Sequence, residues 1–213
     1  MISTNFELAK KEILKGENIV QDFKQSITDT RKIACTLVAF SNTIGGKLWI
    51  GVKDNGHIKG TKAQEELYMI EAAADIYSEP KIDFEYQIYE LDNKKQLLEI
   101  YIPQSTTVHR AKSKENELKA YARQDDNTVL VSNVVYKSWI NKRSFGKKSE
   151  FSFSNNEELL LLYLRQNDFI TLSRFVKITD LKRHAAENIL AKLLSWKLIG
   201  WKNNQGVFEY SLV

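Results

Sequence analysis

The chain has 213 residues, 43% of them hydrophobic, with a formal net charge of +4 and a single cysteine. This composition allows a hydrophobic core in one or two domains and excludes a disulfide framework within the monomer, which suits a reducing cytoplasm. No apolar run approaches the roughly 18–20 residues that a membrane helix requires, and the N-terminus lacks the apolar segment of a signal peptide.

Residues 1–143 predict a mixed α/β domain. Ile33, Leu37 and Phe40 recur at the spacing that forms one apolar helical stripe, and two later segments alternate as strands do. The expected helices cover residues 7–15, 29–41, 62–77 and 131–141. The expected strands cover 19–24, 48–52, 82–88 and 98–102, and a hairpin follows that joins 106–112 to 118–123.

Residues 42–54 join a helix to a short apolar strand. Gly45 and Gly46 allow a tight turn with positive φ between the two elements. The strand over residues 48–52 is almost entirely apolar, which suits a strand covered on both faces. It leads to Asp54, so we expect a carboxylate at the end of a central strand.

Several sequence blocks occur in a fixed order within residues 5–143. They are Glu17, Asp22, Phe23 and Lys24; Ala39, Phe40, Asn42, Thr43, Gly45 and Gly46; Ile50, Gly51, Val52, Asp54 and Gly60; and His109, Arg110, Tyr121, Ala122 and Arg123. Together these blocks resemble the AlbA_2 domain of the Schlafen family. Asp22 stands where nuclease-active members carry glutamate.

The resemblance implies a metal-dependent RNA-cleaving site at Glu17, Asp22 and Asp54, with Lys24 beside the phosphate. Mg²⁺ and Mn²⁺ favour such oxygen ligands. The three carboxylates would converge if the strand over 19–24 runs beside the strand over 48–52. The simpler interpretation is that Glu17 is a loop charge and Asp54 a turn-former. ATP, another association of the family, has weak support because the glycines lack the phosphate-loop pattern.

A second group of residues predicts nucleic-acid contact by the first domain. Bases could stack and phosphates could pair on a basic and aromatic platform, formed by His109, Arg110, Lys119, Tyr121 and Arg123. Lys119, Tyr121 and Arg123 alternate onto one face of a predicted strand, which supports this platform. An ordinary exposed sheet face is the alternative interpretation.

A basic segment leads into the predicted linker, residues 144–156. No acidic residue occurs from residue 132 to residue 149, where Lys137, Lys142, Arg143, Lys147 and Lys148 lie. This segment is either a solvated helix end or a strip that faces phosphates.

Residues 157–213 predict three helices followed by a β-hairpin, the order of a winged helix-turn-helix domain. Asp180 is the predicted N-cap of the longest helix. Lys182, Arg183 and His184 would begin the helix that enters the DNA major groove, and Lys202 would lie in the hairpin. Such domains also serve as dimerisation or protein-docking modules.

The predicted fold class is therefore a mixed-sheet AlbA_2 domain followed by a small winged-helix domain. We expect a DNA-binding transcriptional regulator that forms a homodimer. The alternative is a metal-dependent endoribonuclease of the Schlafen type that uses Glu17, Asp22 and Asp54.

Overall fold

The computed structural model describes residues 4–91, 94–144 and 153–213. The chain divides into two compact units, Met1–Leu130 and Val131–Val213. No helix in these ranges is both long enough and apolar enough to span a lipid bilayer.

The first unit contains three helices and nine strands among its described residues. The helices are α1 (Thr4–Ile13), α2 (Thr30–Asn42) and α3 (Ala63–Asp75). The strands are β1 (Gln21–Lys24), β2 (Gly46–Ile50), β3 (Ser78–Glu79), β4 (Glu85–Glu90), β5 (Gln96–Ile102), β6 (Arg110–Lys112), β7 (Leu118–Lys119), β8 (Tyr121–Gln124) and β9 (Asn127–Leu130).

A four-stranded mixed sheet with the order β1–β2–β5–β4 forms the centre of this unit. β1 pairs with β2 in parallel, with Asp22 opposite Leu48, and the other two pairings are antiparallel. The two strands that carry the acidic motifs therefore run side by side, which was the condition for convergence of the three carboxylates.

Helices cover both faces of the sheet, because β2 is apolar on both sides. Leu48 and Ile50 join a core with α2 and α3, where Ile33, Leu37 and Phe40 form the predicted stripe. On the opposite face, Trp49 packs with Phe6, Ile13 and Phe23 beneath α1. α2 begins at the N-cap Asp29, whose carboxylate accepts hydrogen bonds from the amides of Arg31 and Lys32.

The hairpin predicted from residues 106–123 differs from the structure. β6 pairs with β7, and β3 joins the same small sheet. β8 does not continue this hairpin but pairs with β9, across a two-residue turn in which Asp125 has a φ of 55°. Aspartate tolerates that left-handed conformation, so a second hairpin forms where the first was expected to end.

The second unit contains four helices and three strands within its described ranges. They are α4 (Asn133–Ser144), α5 (Asn155–Gln166), β10 (Ile170–Thr171), α6 (Leu172–Thr179), α7 (Arg183–Ser195), β11 (Ile199–Asn204) and β12 (Val207–Leu212). The sheet order is β10–β12–β11, and the core includes Leu160, Phe175, Leu190 and Tyr210. Gln205 and Gly206 form the turn of the predicted hairpin, both with positive φ.

Two features of this unit differ from the sequence-based expectation. Asp180 was predicted to be the N-cap of α7, but it is the C-cap of α6 with a left-handed φ of 54°, and the N-cap of α7 is Lys182. The helix predicted to close the first domain, α4, packs with the second unit, because Val134 joins its core and Lys137 pairs with Glu187. Most of the predicted linker lies outside the described residues.

Candidate functional site

The most buried charged group of the first unit is the pair of Asp22 and Arg123. The Nη1 atom of Arg123 donates to Oδ2 of Asp22 at 2.9 Å, and the two side chains are 0% and 7% exposed. The other carboxylate oxygen of Asp22 accepts a hydrogen bond from Nζ of Lys24 at 2.5 Å. Both oxygens of Asp22 are therefore already bonded to cationic groups.

Arg123 holds the β8–β9 hairpin against β1. Its Nη2 atom donates to the carbonyl oxygens of Asn18 and Asp126, both at 2.9 Å, and its guanidinium lies 4.8 Å from the centroid of the Phe40 ring. A buried ion pair with further hydrogen bonds satisfies charges that would otherwise be costly to remove from water. The expectation that Arg123 lies on a nucleic-acid platform is wrong for this structure, since its side chain is enclosed.

Glu17 lies next to Asp22 at the outer edge of β1. Its Oε1 atom accepts a hydrogen bond from the amide of Phe23 at 2.8 Å. Burial raises the pKa of the Glu17 carboxyl above its ordinary value, and a hydrogen bond with Asp22 raises it further. The protonated form of Glu17 is therefore favoured to higher pH than for an exposed glutamate.

Asp54 does not join this carboxyl pair. It is exposed in the turn after β2, where the amide of Lys53 bonds to the carbonyl of His57. No three His, Cys, Asp or Glu side chains within 4–91, 94–144 and 153–213 are grouped so that they could hold a metal ion. The predicted Mg²⁺ or Mn²⁺ site at Glu17, Asp22 and Asp54 thus does not fit this geometry. Lys24 also bonds to Asp22 and to the carbonyl of Phe23 at 2.8 Å.

Asn42 and Thr43, at the end of α2, connect the helix to distant strands. The Asn42 amide donates to the carbonyls of His109 and Tyr121, at 2.8 and 3.1 Å, and its oxygen accepts from the amide of His109. Thr43 accepts from the backbone amide of Arg123 at 2.9 Å. The Asn-Thr pair of the motif therefore fixes the segment that carries Arg123.

The two glycines that follow α2 are required by close backbone approach. Gly45 has a φ of 76°, and a Cβ on Gly46 would contact the Phe40 ring and lie 2.7 Å from the carbonyl oxygen of Val20. The amides of Gly45 and Lys47 bond to the carbonyls of Phe40 and Val20. Those amides are unavailable to phosphate, so the turn does not form the kind of cradle that would favour ATP.

The remaining predicted platform residues do not share one surface. His109 is buried, with its ring nitrogens 2.8 Å from the carbonyl oxygen of Pro80 and 3.0 Å from Oγ of Ser105. Arg110 pairs with Glu79 at 3.4 Å, and Lys119 pairs with Glu117 at 2.9 Å. Tyr121 is half-buried against the core, and burial raises the pKa of its hydroxyl, with a further contribution from Cys35. The predicted alternation of Lys119, Tyr121 and Arg123 fails because Lys119 belongs to a different sheet.

The basic residues predicted at the start of the recognition helix and in the hairpin are exposed. Lys182, Arg183 and His184 lie in sequence at the start of α7, and Lys202 lies on β11. The Arg183 side chain is 71% exposed, and its Nε atom is 3.4 Å from a carboxylate oxygen of Glu187. The other oxygen of Glu187 pairs with Lys137 at 2.9 Å, which places α4 beside α7.

Four predicted basic residues cannot be placed in this surface. Lys142 and Arg143 lie in the last turns of α4, but their side chains are outside the described part of the structure, as are Lys147 and Lys148 entirely.

The family model described as "Schlafen, AlbA_2" matches residues 17–132, more than half of the chain.

The chain belongs to the Schlafen AlbA_2 family.

Comparisons with individual proteins add less. No match was found among curated proteins. The chain is similar to the crystal structure of the DIP2311 protein from Corynebacterium diphtheriae, with 13% sequence identity and a TM-score of 0.43. That similarity covers 78% of this chain and 31% of the other, so the chain spans about a third of the length of that protein.

Charge is distributed unequally between the AlbA_2 unit and the second unit. Residues 131–213 contain 13 Lys and Arg against 7 Asp and Glu, whereas residues 1–130 contain 18 against 20. The formal net charge is therefore +6 for the second unit and −2 for the first. A polyanion would be attracted to the second unit rather than equally to both.

Three structural roles were missed by sequence reasoning in the AlbA_2 domain. Asn42 and Thr43 were recognised as motif residues, but no role was derived for them. Thr128, which accepts a hydrogen bond from Arg123 at 3.1 Å, has no sequence signal at all. The presence of an arginine and a carboxylate in separate motif blocks was the one available indication that they could pair.

Proposed function

We propose that this AlbA_2 protein binds duplex DNA through its second unit, which acts as a winged helix-turn-helix in a transcriptional regulator. The observation that carries the proposal is the α6–α7 pair, whose connecting segment, residues 180–182, leads directly into an exposed basic helix start. A turn of three to four residues between two such helices is typical of DNA-binding helix-turn-helix motifs.

The order of elements around this pair supports the same function. α5, α6 and α7 are followed by the β11–β12 hairpin, and β12 also pairs with β10. In winged helices the third helix enters the major groove with its N-terminal residues toward the base edges. On this basis Lys182, Arg183 and His184 would contact bases and phosphates, and Lys202 in the β11–β12 hairpin would contact the flanking DNA backbone.

Arg183 is free to exchange its protein contact for a phosphate. Its pair with Glu187 is exposed on the arginine side and 3.4 Å long, and such pairs contribute little to stability. Glu187 itself would stay paired with Lys137 after the exchange. The net charge of +6 in the second unit provides long-range attraction to a duplex.

The contribution of the first unit is more limited than the sequence implied. Its net charge is −2, Arg123 and His109 are buried, and Arg110 and Lys119 are ion-paired. The endoribonuclease alternative needs Glu17, Asp22 and Asp54 around one metal ion, an arrangement that the part of the chain described above lacks.

DNA binding at several salt concentrations tests the proposal. The double variant Lys182→Ala/Arg183→Ala should weaken binding and reduce the slope of log K against log salt by about 1.8, since each lost phosphate contact removes about 0.9. Fluorescence anisotropy with a labelled duplex measures both quantities.

Lys62→Ala is the matched control, because Lys62 is an 80% exposed lysine of the first unit paired with Glu65. It should leave affinity and slope unchanged. Equal slopes for the wild type and the double variant would contradict the assignment of the DNA-binding helix.

A further inference from the structure

The outer face of α5 presents apolar side chains to solvent. Leu159 and Leu162 are 40% and 58% exposed, whereas Leu160 and Leu164 on the opposite face enter the core. Residues three apart on a helix are neighbours, so the two exposed leucines form one continuous patch. A partner surface that covered these leucine side chains would remove their apolar area from water, which is energetically favourable.

Two opposite charges flank this patch on the same side of the helix. Glu158 and Arg165 are exposed and are seven residues apart, which is two helical turns. Neither forms an ion pair with another residue inside the described ranges. Glu158 lies in the first turn and Arg165 in the last, so this edge of the helix is negative at its N-terminal end and positive at its C-terminal end.

We infer that the α5 outer face binds the α5 outer face of a second copy of this chain, with the two helices antiparallel. The two antiparallel helices are related by a two-fold axis that is perpendicular to both. This axis places each residue opposite a residue of the other copy that lies equally far from the axis along its own helix, on the same edge of the contact. With the axis near Leu162, Glu158 of each copy lies opposite Arg165 of the other. Both ion pairs form together, and Leu159 and Leu162 fill the seam between them.

The charge inversion is the reason to assign a second copy rather than a different partner. A helix that carries a carboxylate at one end and a guanidinium at the other, on one edge of an apolar strip, is complementary to itself only when antiparallel. Opposite charges at flanking positions set the orientation of paired helices in this way. In a parallel pair, Glu158 of one copy and Arg165 of the other would lie two helical turns apart in height and could not form an ion pair.

The size of the helix sets the strength of this contact. The 12 residues of α5 span about 18 Å, and one helix pair buries less than the roughly 1,200 Å² of a standard stable interface. We therefore expect a reversible dimer with a dissociation constant on the order of 10–100 µM in the absence of DNA.

Sedimentation velocity of the full chain over a concentration series tests the interface. Leu162→Glu, Glu158→Arg and Arg165→Glu should each weaken dimerisation about tenfold or more, because the two-fold axis makes every change count twice. The combined Glu158→Arg/Arg165→Glu variant restores opposite charges at both ends. It should return the dissociation constant to within about threefold of the wild-type value, as coupled positions do in a double-mutant cycle.

Tyr68→Glu is the matched control. Tyr68 is a 71% exposed aromatic residue on α3 of the first unit, and its replacement should leave dimerisation unchanged. Circular dichroism and thermal melting would confirm that every variant is folded.

A wild-type chain that stays monomeric at all accessible concentrations would overturn the inference, as would a charge swap that fails to restore the dimer. A titration with a single DNA half-site, at protein concentrations below the dimerisation range, tests DNA binding independently of dimerisation. A monomer that still binds the half-site leaves the proposed function intact while removing the interface.

Discussion

Replacement of Arg123 separates a structural role from a nucleic-acid-binding role. Arg123→Ala removes the partner of Asp22 in a pair whose side chains are 0% and 7% exposed. Removal of one partner of a buried ion pair costs about 3–5 kcal/mol of unfolding free energy. Lys24 still neutralises Asp22 from a side chain that is 38% exposed, so the lower end, about 3 kcal/mol, is expected.

The loss of stability should be local to the first unit, and it should lower the opening free energy of β2. Hydrogen exchange of peptides across β1 and β2, measured at increasing urea concentration, reports the opening free energy of these strands without interference from the second unit. Arg110→Ala is the matched control, because Arg110 forms a more exposed 3.4 Å pair with Glu79, and it should cost less than about 1 kcal/mol.

The reasoning is refuted if Arg123→Ala costs no more than Arg110→Ala while DNA or RNA affinity falls. That pattern would mean that Arg123 is available to ligands and that its enclosure beside Asp22 contributes little. Partial recovery of stability in Asp22→Asn/Arg123→Met, where no unpaired charge is left, would support the buried-pair explanation.

Three further predictions concern other parts of the chain. Because burial raises the pKa of Glu17, as does its hydrogen bond to Asp22, ionisation of this carboxyl costs the folded state stability as the pH rises above the ordinary glutamate value. The urea midpoint of Glu17→Gln should therefore increase relative to that of the wild type as the pH rises above about 4, and a difference that is constant with pH would contradict the shift. Asp180→Gly should stabilise the second unit by up to about 1 kcal/mol in thermal melting, because residue 180 has a left-handed φ of 54° at the end of α6, whereas a loss of stability would favour the N-cap role predicted from the sequence. Any cleavage of structured RNA by the purified protein with Mn²⁺ should be independent of Glu17 and Asp54. Cleavage by the wild type that is lost in both Glu17→Ala and Asp54→Ala would restore the metal-site hypothesis.

The elements of the AlbA_2 sheet were predictable because their signals are local. The stripe of Ile33, Leu37 and Phe40 identified α2, and the apolar run over 48–52 identified a strand covered on both faces. The Gly45-Gly46 pair correctly indicated the tight turn between them. Each of these features depends on periodicity or backbone freedom over a few residues.

The candidate site was harder to predict because its geometry depends on distant pairs. Arg123 alternates with Tyr121 and Lys119 in the sequence, which suggested one exposed face, but its burial depends on Asp22, 101 residues earlier. The placement of Asp180 failed for a different reason. Aspartate suits both an N-cap and a left-handed C-cap, and the tertiary structure chose between two locally acceptable conformations.

The Asp22–Arg123 pair also determines when the first unit can be completed during synthesis. A ribosome that adds about 5–20 residues each second needs roughly 5–20 s to make the 101 residues that separate the two partners. Until β8 emerges, Lys24 is the partner left to Asp22, and the guanidinium and hairpin that enclose this carboxylate are missing from the edge of the sheet. Nascent chains truncated before residue 123 should therefore be protease-sensitive in β1 and β2, and they should become protected once the β8–β9 hairpin has left the exit tunnel.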